Sequence, residues 1–341
     1  MRVDRKVIRA AAVLLTVLTL LLAGALLRFL WGEGSFPGGA QAWTSEPPET
    51  DEGELLYYND TWYAPRKDVE TVLVLGLDRS EQEGVWTTGE YAQSDFVLLL
   101  EIDQTAERWK VLHINRDTMV EIQDFDQYGK PSGTYTAQLA LAYAHAQAYT
   151  RNDTTAAHTA MDAVSGLLYG VEIDHYMTVT MDGVMLLNDL AGGVEVEIKD
   201  DFSAVDPTLV QGERVLLLGE HALNYVRSRW YVSDNSNLAR MARQREYLEA
   251  LQKKLSGLTE GDEGFAMSAL LELSQHMTSD CTVERLAELA ETLRTFEMEE
   301  YAALEGEAVI NEQNYVEFRV DEAALQRLVI EDFYAPAENP E

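Results

Sequence analysis

The longest apolar stretch comes first. Ala10 to Leu27 contains no charged side chain, and Arg28 is followed by Phe29, Leu30 and Trp31. About twenty apolar residues span a bilayer core, and an aromatic edge suits its interface. The preceding MRVDRK is basic, which keeps an N-terminus in the cytoplasm and sends the remainder outside. Residues 1–9 are therefore expected as a cytoplasmic tail and residues 10–31 as a single transmembrane anchor in the cell membrane. A cleaved signal peptide ending near Ala23-Gly24-Ala25 is the alternative, and it too places the remainder beyond the membrane. Residues 32–66, rich in Gly, Pro, Ser, Thr and Glu, read as a flexible stalk, with apolar residues returning at Leu55–Tyr58.

From Thr71 the pattern turns strand-like in three runs, TVLVLGLD, DFVLLLEID (95–103) and WKVLHIN (109–115). Their density in Val, Leu and Ile, with little alternation, is that of strands covered on both faces. The polar QTAER between the second and third predicts a hairpin. Helical patterns follow over Thr136–Tyr149 and Thr155–Tyr169, then a strand at Tyr176–Thr180 and a helix over Asp182–Leu190. A turn at Gly192-Gly193 leads to a strand at Val194–Ile198, and helices are predicted at Leu218–Arg227 and Asn237–Leu255. Beyond Gly257 come helices over Phe265–Met277 and Val283–Phe296, strands at Tyr301–Leu304 and Tyr315–Val320, and a helix at Asp321–Ile330. Strands alternating with helices define the fold class as α/β, a mixed central sheet flanked by helices in three layers.

Composition narrows the chemistry. With 26 basic and 59 acidic side chains the net charge is −33, which lacks the basic footprint that nucleic-acid binding needs. No nucleic-acid partner is expected, and an anionic substrate requires a local basic pocket. The single cysteine, Cys281, excludes an intrachain disulfide framework. The six histidines form no HExxH, so a zinc site of the usual spacing is not expected.

Against that acidity, YVRSRWYVSDNSNLARMARQR concentrates Arg227, Arg229, Arg240, Arg243 and Arg245. Guanidinium is permanently charged and forks onto paired oxygens, as phosphate recognition requires. At 3.6 residues per turn Arg240, Arg243 and Gln244 share one side of a helix, beside an apolar face of Leu238, Met241, Leu248 and Leu255. Acid–arginine pairs also follow two strands: Asp78-Arg79 closes the first and Arg116-Asp117 the third. Ligands of open α/β sheets bind beyond strand ends, and Asp95, which opens the second run, shares the edge of Asp78 if those strands are antiparallel. Converging carboxylates with arginines suit a magnesium ion holding phosphate oxygens, although each pair alone is also an ordinary salt bridge.

The order VLVLGLDRS, QSDFVLLLEID, HINRDTMVEI, MDGVMLLNDLAGGVEVEI and GEHALNYVRSR…D…NLARMARQREYL resembles the LytR–CpsA–Psr family of bacterial cell-envelope transferases. The resemblance runs from about Glu70 to Leu255. It implies a phosphotransferase that takes a glycopolymer from an undecaprenyl-pyrophosphate carrier and joins it to a muramic-acid hydroxyl of peptidoglycan. By position, Asp78 and Asp95 match acids that hold Mg²⁺. Arg79, Arg116, Arg227, Arg229, Arg240 and Arg243 match the family's arginines, Gln244 matches a companion amide, and Asp117 and Asp234 match further acids. Residues 67–258 are then the catalytic domain, with 259–341 an extension that completes it or covers it. The lipid carrier needs an apolar tunnel, for which Leu139, Leu141, Leu167 and Leu168 are candidate walls, although ordinary core packing fits them equally.

One block departs from the family pattern. Many members carry a lysine or arginine and an asparagine before the Ala-Tyr helix, where TAQLALAYAHAQ has Gln138 and Ala140. A phosphate contact there is left to the Gln138 amide. Two other readings share the same residues: a non-catalytic envelope regulator that binds polyprenyl phosphate, and a hydrolase in which water replaces the sugar hydroxyl.

Overall fold

The computed structural model describes residues 55–78, 92–228, 231–233, 237–261, 272–312 and 315–338. The expected tail and anchor lie outside these. Among the described residues, no helix is long and apolar enough to cross a membrane.

The central element is a mixed six-stranded sheet. Its strands are β3 (Val69–Leu77), β4 (Ser94–Asp103), β5 (Arg108–Ile114), β8 (His175–Thr180), β11 (Met277–Ser279) and β12 (Glu297–Ala303), in the order β11-β8-β3-β4-β5-β12. β4 is buried along nearly its whole length, as its central run FVLLL requires. β4 and β5 are antiparallel, register Val97 against Ile114 and Asp103 against Arg108, and turn through residues 104–107.

The chain divides into two compact units. The described residues of one are 55–75, 92–176, 302–312 and 315–338. Here α1 (Ala140–Thr150) and α2 (Asp153–Leu167) bury mostly small residues, among them Ala142, Ala146, Ala156, Ala157 and Ala160, together with Tyr143 and Gln147. Small side chains bring the two helix axes close, so packing substitutes for the weak amphipathicity of both helices. Asn152 caps α2 by accepting the Thr155 N–H at 2.9 Å.

Two sequence expectations are corrected in this unit. The stretch expected as stalk contains β1 (Leu56–Tyr58) and β2 (Thr61–Pro65), and β2 also pairs with β15 (Tyr334–Ala337). The helix expected from Thr136 begins at Ala140, because Thr136 to Gln138 belong to a hairpin of β6 (Met119–Phe125) and β7 (Pro131–Gln138). Its turn is signalled by DQYGK: Asp126 accepts the Tyr128 and Lys130 N–H groups, and Gly129 has φ +74° beneath the Tyr149 carbonyl. Near the C-terminus, β13 (Gly306–Ile310) and β14 (Val316–Val320) form a further hairpin. It precedes α7 (Glu322–Phe333), which Asp321 caps.

The described residues of the other unit are 76–78, 177–228, 231–233, 237–261 and 272–301. It carries α3 (Met181–Leu190), the hairpin β9 (Val194–Glu197) and β10 (Arg214–Leu217), α4 (Glu220–Arg227), α5 (Asn237–Gly261) and α6 (Val283–Thr295). Gly193 is obligatory at the start of the hairpin. Its φ is +82°, and a Cβ there would stand 2.8 Å from the Leu217 carbonyl. The helix expected over 265–277 falls partly outside the described residues, and its last part is a 3-10 turn, Ser274–His276, running into β11. α5 packs against α4 and β9, and this packing builds the arginine-rich site.

Candidate functional site

In the second unit, Asp78 follows the last residue of β3 and Arg227 is the last residue of α4. A cation at a helix C-terminus, with Glu220 in the first turn, complements the helix dipole. The Arg227 guanidinium forks onto Asp78, Nε at 2.9 Å from Oδ1 and Nη2 at 3.4 Å from Oδ2. Both side chains keep access to water, at 46% and 27% exposure, so an incoming anion can compete for the guanidinium.

The α5 residues are placed differently. The sequence predicts a polar arc flanking the core, whereas Arg240, Arg243 and Gln244 lie inside it, each at most 5% exposed. Arg243 is held on every side. Nη1 pairs with Asp200 at 2.9 Å, Nε donates to the Tyr225 carbonyl at 3.4 Å, Nη2 donates to the Ser228 carbonyl, and the plane lies 5.5 Å from the Phe202 ring centroid. Gln244 donates Nε2 to the Val226 carbonyl at 3.2 Å. These carbonyls belong to the C-terminal turn of α4, whose last acceptors have no partner within the helix. Tyr225 stacks on Phe202 at 5.6 Å, and burial pushes its hydroxyl well above the usual phenol range, keeping it protonated.

The first unit holds a group of its own. Arg116 pairs through Nη1 with Asp95, donates Nη2 to Gln93 at 2.5 Å and lies 3.5 Å from Asp117 through Nε. Asp95 and Asp117 are both buried, and burial of paired charges makes their geometry stiff. Asn115 shapes the turn. Its side chain accepts the Asp117 N–H, and its carbonyl accepts Thr118 Oγ1 at 2.6 Å. Gln138 donates to Asp117 at 3.2 Å and to the Val316 carbonyl at 2.6 Å, so its amide orients a carboxylate.

Arg79, Arg229 and Asp234 lie outside the described residues. Of the candidate tunnel walls, Leu139 and Leu168 are buried in the core and Leu141 and Leu167 are half-buried. Sequence reasoning passed over Asp200, Phe202, Gln93 and Asn115. Asp200 was within reach, since it follows β9 closely and a carboxylate just past a strand end is the same signal that marked Asp78.

Residues 49–331 match the model of the LytR_cpsA_psr family. The chain belongs to this family. The match takes in β1, β2 and nearly all of the stretch beyond residue 258, so the LytR_cpsA_psr region extends past both edges of the expected catalytic domain. Among curated relatives, the chain is 28% identical over 264 residues to the polyisoprenyl-teichoic acid–peptidoglycan teichoic acid transferase TagU of Enterococcus faecalis, covering 77% of this chain and 78% of the relative. It is 31% identical over 188 residues to the TagU of Halalkalibacterium halodurans, covering 55% and 54%. Among solved structures, a protein of Streptococcus agalactiae aligns with TM-score 0.60 at 21% identity, over 78% of this chain and 88% of that one. TagV of Bacillus subtilis aligns with TM-score 0.53 at 20% identity, over 78% and 98%. The LytR_cpsA_psr chain therefore shares their fold, a mixed sheet with flanking helices.

Proposed function

We propose that this protein is a Mg²⁺-dependent phosphotransferase, moving an anionic glycopolymer from an undecaprenyl-pyrophosphate carrier to a muramic-acid hydroxyl of peptidoglycan. The observation that carries the reading is the Asp78–Arg227 fork, a solvent-reachable guanidinium held ready by a carboxylate at a strand end. The family match across residues 49–331 and the names of the curated relatives support the same chemistry. In the cell the chain is anchored by residues 10–31, N-terminus cytoplasmic and the remainder extracellular.

In the reaction the acceptor oxygen attacks the phosphorus that bears the glycopolymer. A phosphodiester forms, the bridging P–O bond breaks and undecaprenyl phosphate leaves with the electron pair. The hydroxyl proton passes to a carboxylate of the site. Phosphoryl transfer asks for charge neutralisation and positioning more than covalent help. Arg227 exchanges Asp78 for a phosphate oxygen, which frees that carboxylate. Arg240 and Arg116 supply fixed positive charge with little reorganisation, because both are already buried or half-buried. Asp78 and Asp95 are hard oxygen donors of the type that Mg²⁺ takes, and by the family resemblance they would be the residues that hold it. The chemistry such an ion would supply is charge neutralisation on the diphosphate.

The test is to incubate the full chain in detergent with a lipid-pyrophosphate glycan, peptidoglycan and Mg²⁺. Polymer joined to the wall material supports transfer. Release of phosphorylated polymer into solution would make the protein a hydrolase, and binding without turnover would make it a regulator.

A further inference from the structure

The geometry points to a positioning device that no phosphate touches: Asp200, Phe202 and Arg243 form a clamp on the C-terminal turn of α4 and thereby aim Arg227. This inference rests on the phosphotransferase reading for its kinetic arm only. Every donor face of Arg243 is already engaged. One carboxylate (Asp200), two backbone carbonyls (Tyr225 and Ser228) and one aromatic face (Phe202) surround a guanidinium that is 5% exposed. A phosphate would have to displace Asp200 from a guanidinium that is almost wholly buried. Arg227 differs on both counts: it pairs with Asp78 among the described residues, and nearly half its side chain is open.

The two carbonyls explain what the clamp does. Tyr225 and Ser228 flank Val226 and Arg227, so the guanidinium bridges either side of the residue it aims. Gln244, one residue on, takes the Val226 carbonyl in between. The end of a helix frays unless its free carbonyls are satisfied, and fraying by one residue would swing Arg227 away from Asp78. A planar guanidinium reaches carbonyls in two directions while its face stacks, which a lysine cannot reproduce. Asp200 balances the buried charge and fixes the plane. Phe202, fully buried and stacked on Tyr225, forms the floor. Arg243, placed among the phosphate-contacting arginines by sequence position, is therefore a positioning residue.

The experiment uses the full chain and three variants, Arg243→Lys, Asp200→Asn and Phe202→Leu, with Arg227→Lys as the partner in a double-mutant cycle. The expected result is a kcat lower by about 10- to 100-fold, as for a misaimed contact, with donor KM within about threefold. In the Arg227→Lys background, the further loss from Arg243→Lys should shrink to less than about twofold, because both act through one side chain. Full additivity, or a KM that rises with each variant, would overturn the proposal in favour of direct phosphate contact. A second measurement does not depend on activity. Hydrogen exchange at the Ser228 N–H, which bonds the Asn224 carbonyl at 3.2 Å, should accelerate at least about tenfold in Asp200→Asn. Unchanged exchange there sinks the clamp even if transfer is confirmed. Accelerated exchange in a chain without transfer activity would retain the clamp and retire the function.

Discussion

The guanidinium of Arg227 grips both oxygens of Asp78, at 2.9 Å and 3.4 Å, across 149 residues of sequence. A pair that open to water contributes little to stability, on the order of 0–1 kcal/mol. Its value lies in holding a cation and a carboxylate at a strand end, each ready to change partner.

Replacing Arg227 with alanine should therefore abolish transfer while moving the stability by no more than about 1 kcal/mol. Transfer assays beside thermal melts read the two effects separately. Activity within about twofold of the parent, roughly 0.4 kcal/mol at the transition state, is too small a loss for a phosphate contact.

Arg240 is 4% exposed, so its removal is expected to affect both properties. Arg240→Met keeps much of the volume without the charge. Transfer should fall by at least about 100-fold, or about 2.7 kcal/mol, while the fold survives with a lower Tm. A variant that melts lower but turns over normally would make Arg240 a core residue only.

At Asp95 the expectation is a metal effect combined with a structural one. Asp95→Asn leaves Arg116 without its main counter-charge, and breaking a buried pair costs about 3–5 kcal/mol. The Mg²⁺ concentration for half-maximal transfer should rise at least about tenfold. A metal titration identical to the parent's would remove Asp95 from the ion.

Asp206, which bonds His221 and Asn224 of α4, predicts a pH dependence of folding. Burial opposes its charge, yet hydrogen bonds from Thr208, His221 and Asn224 outweigh that and hold its pKa down at about 2, against 3.8 for a free carboxyl. A carboxyl depressed on folding stabilises the native state fully above the free value, and the contribution is lost as pH falls through about 2. The difference in pKa corresponds to about 2 kcal/mol. Asp206→Asn should thus be less stable than the parent by about that amount from pH 7 to pH 5, with the gap closing below pH 4. A gap unchanged at pH 3 in denaturant melts would assign the loss to packing.

Much of the layout was legible because it depends on local pattern. β3, β4 and β5 are dense in Val, Leu and Ile, which marks them as strands before any packing is known, and the QTAER hairpin followed from its polar turn. Elements whose residues do not alternate cleanly were not legible. β7 is mostly exposed and ends in TAQ, which favours helix in isolation, and only its pairing with β6 makes it a strand. β15 needs a partner 269 residues away at its closest pairing, Tyr334 against Pro65, and no window of sequence carries that information.

The division within the arginine set has the same origin. By itself the sequence determined which residue types gather on α4 and α5, the family to which the chain belongs, and the charge contrast that marks a phosphate site. Spacing along a helix tells which residues share a side. It does not tell what that side meets. Only the packing of α5 against α4 and β9 buried Arg243 between Asp200 and the Tyr225 and Ser228 carbonyls while leaving Arg227 open to water. Charge is a property of the side chain, whereas its solvation and its partners belong to the fold, and these decide whether a guanidinium binds substrate or braces the residue that does.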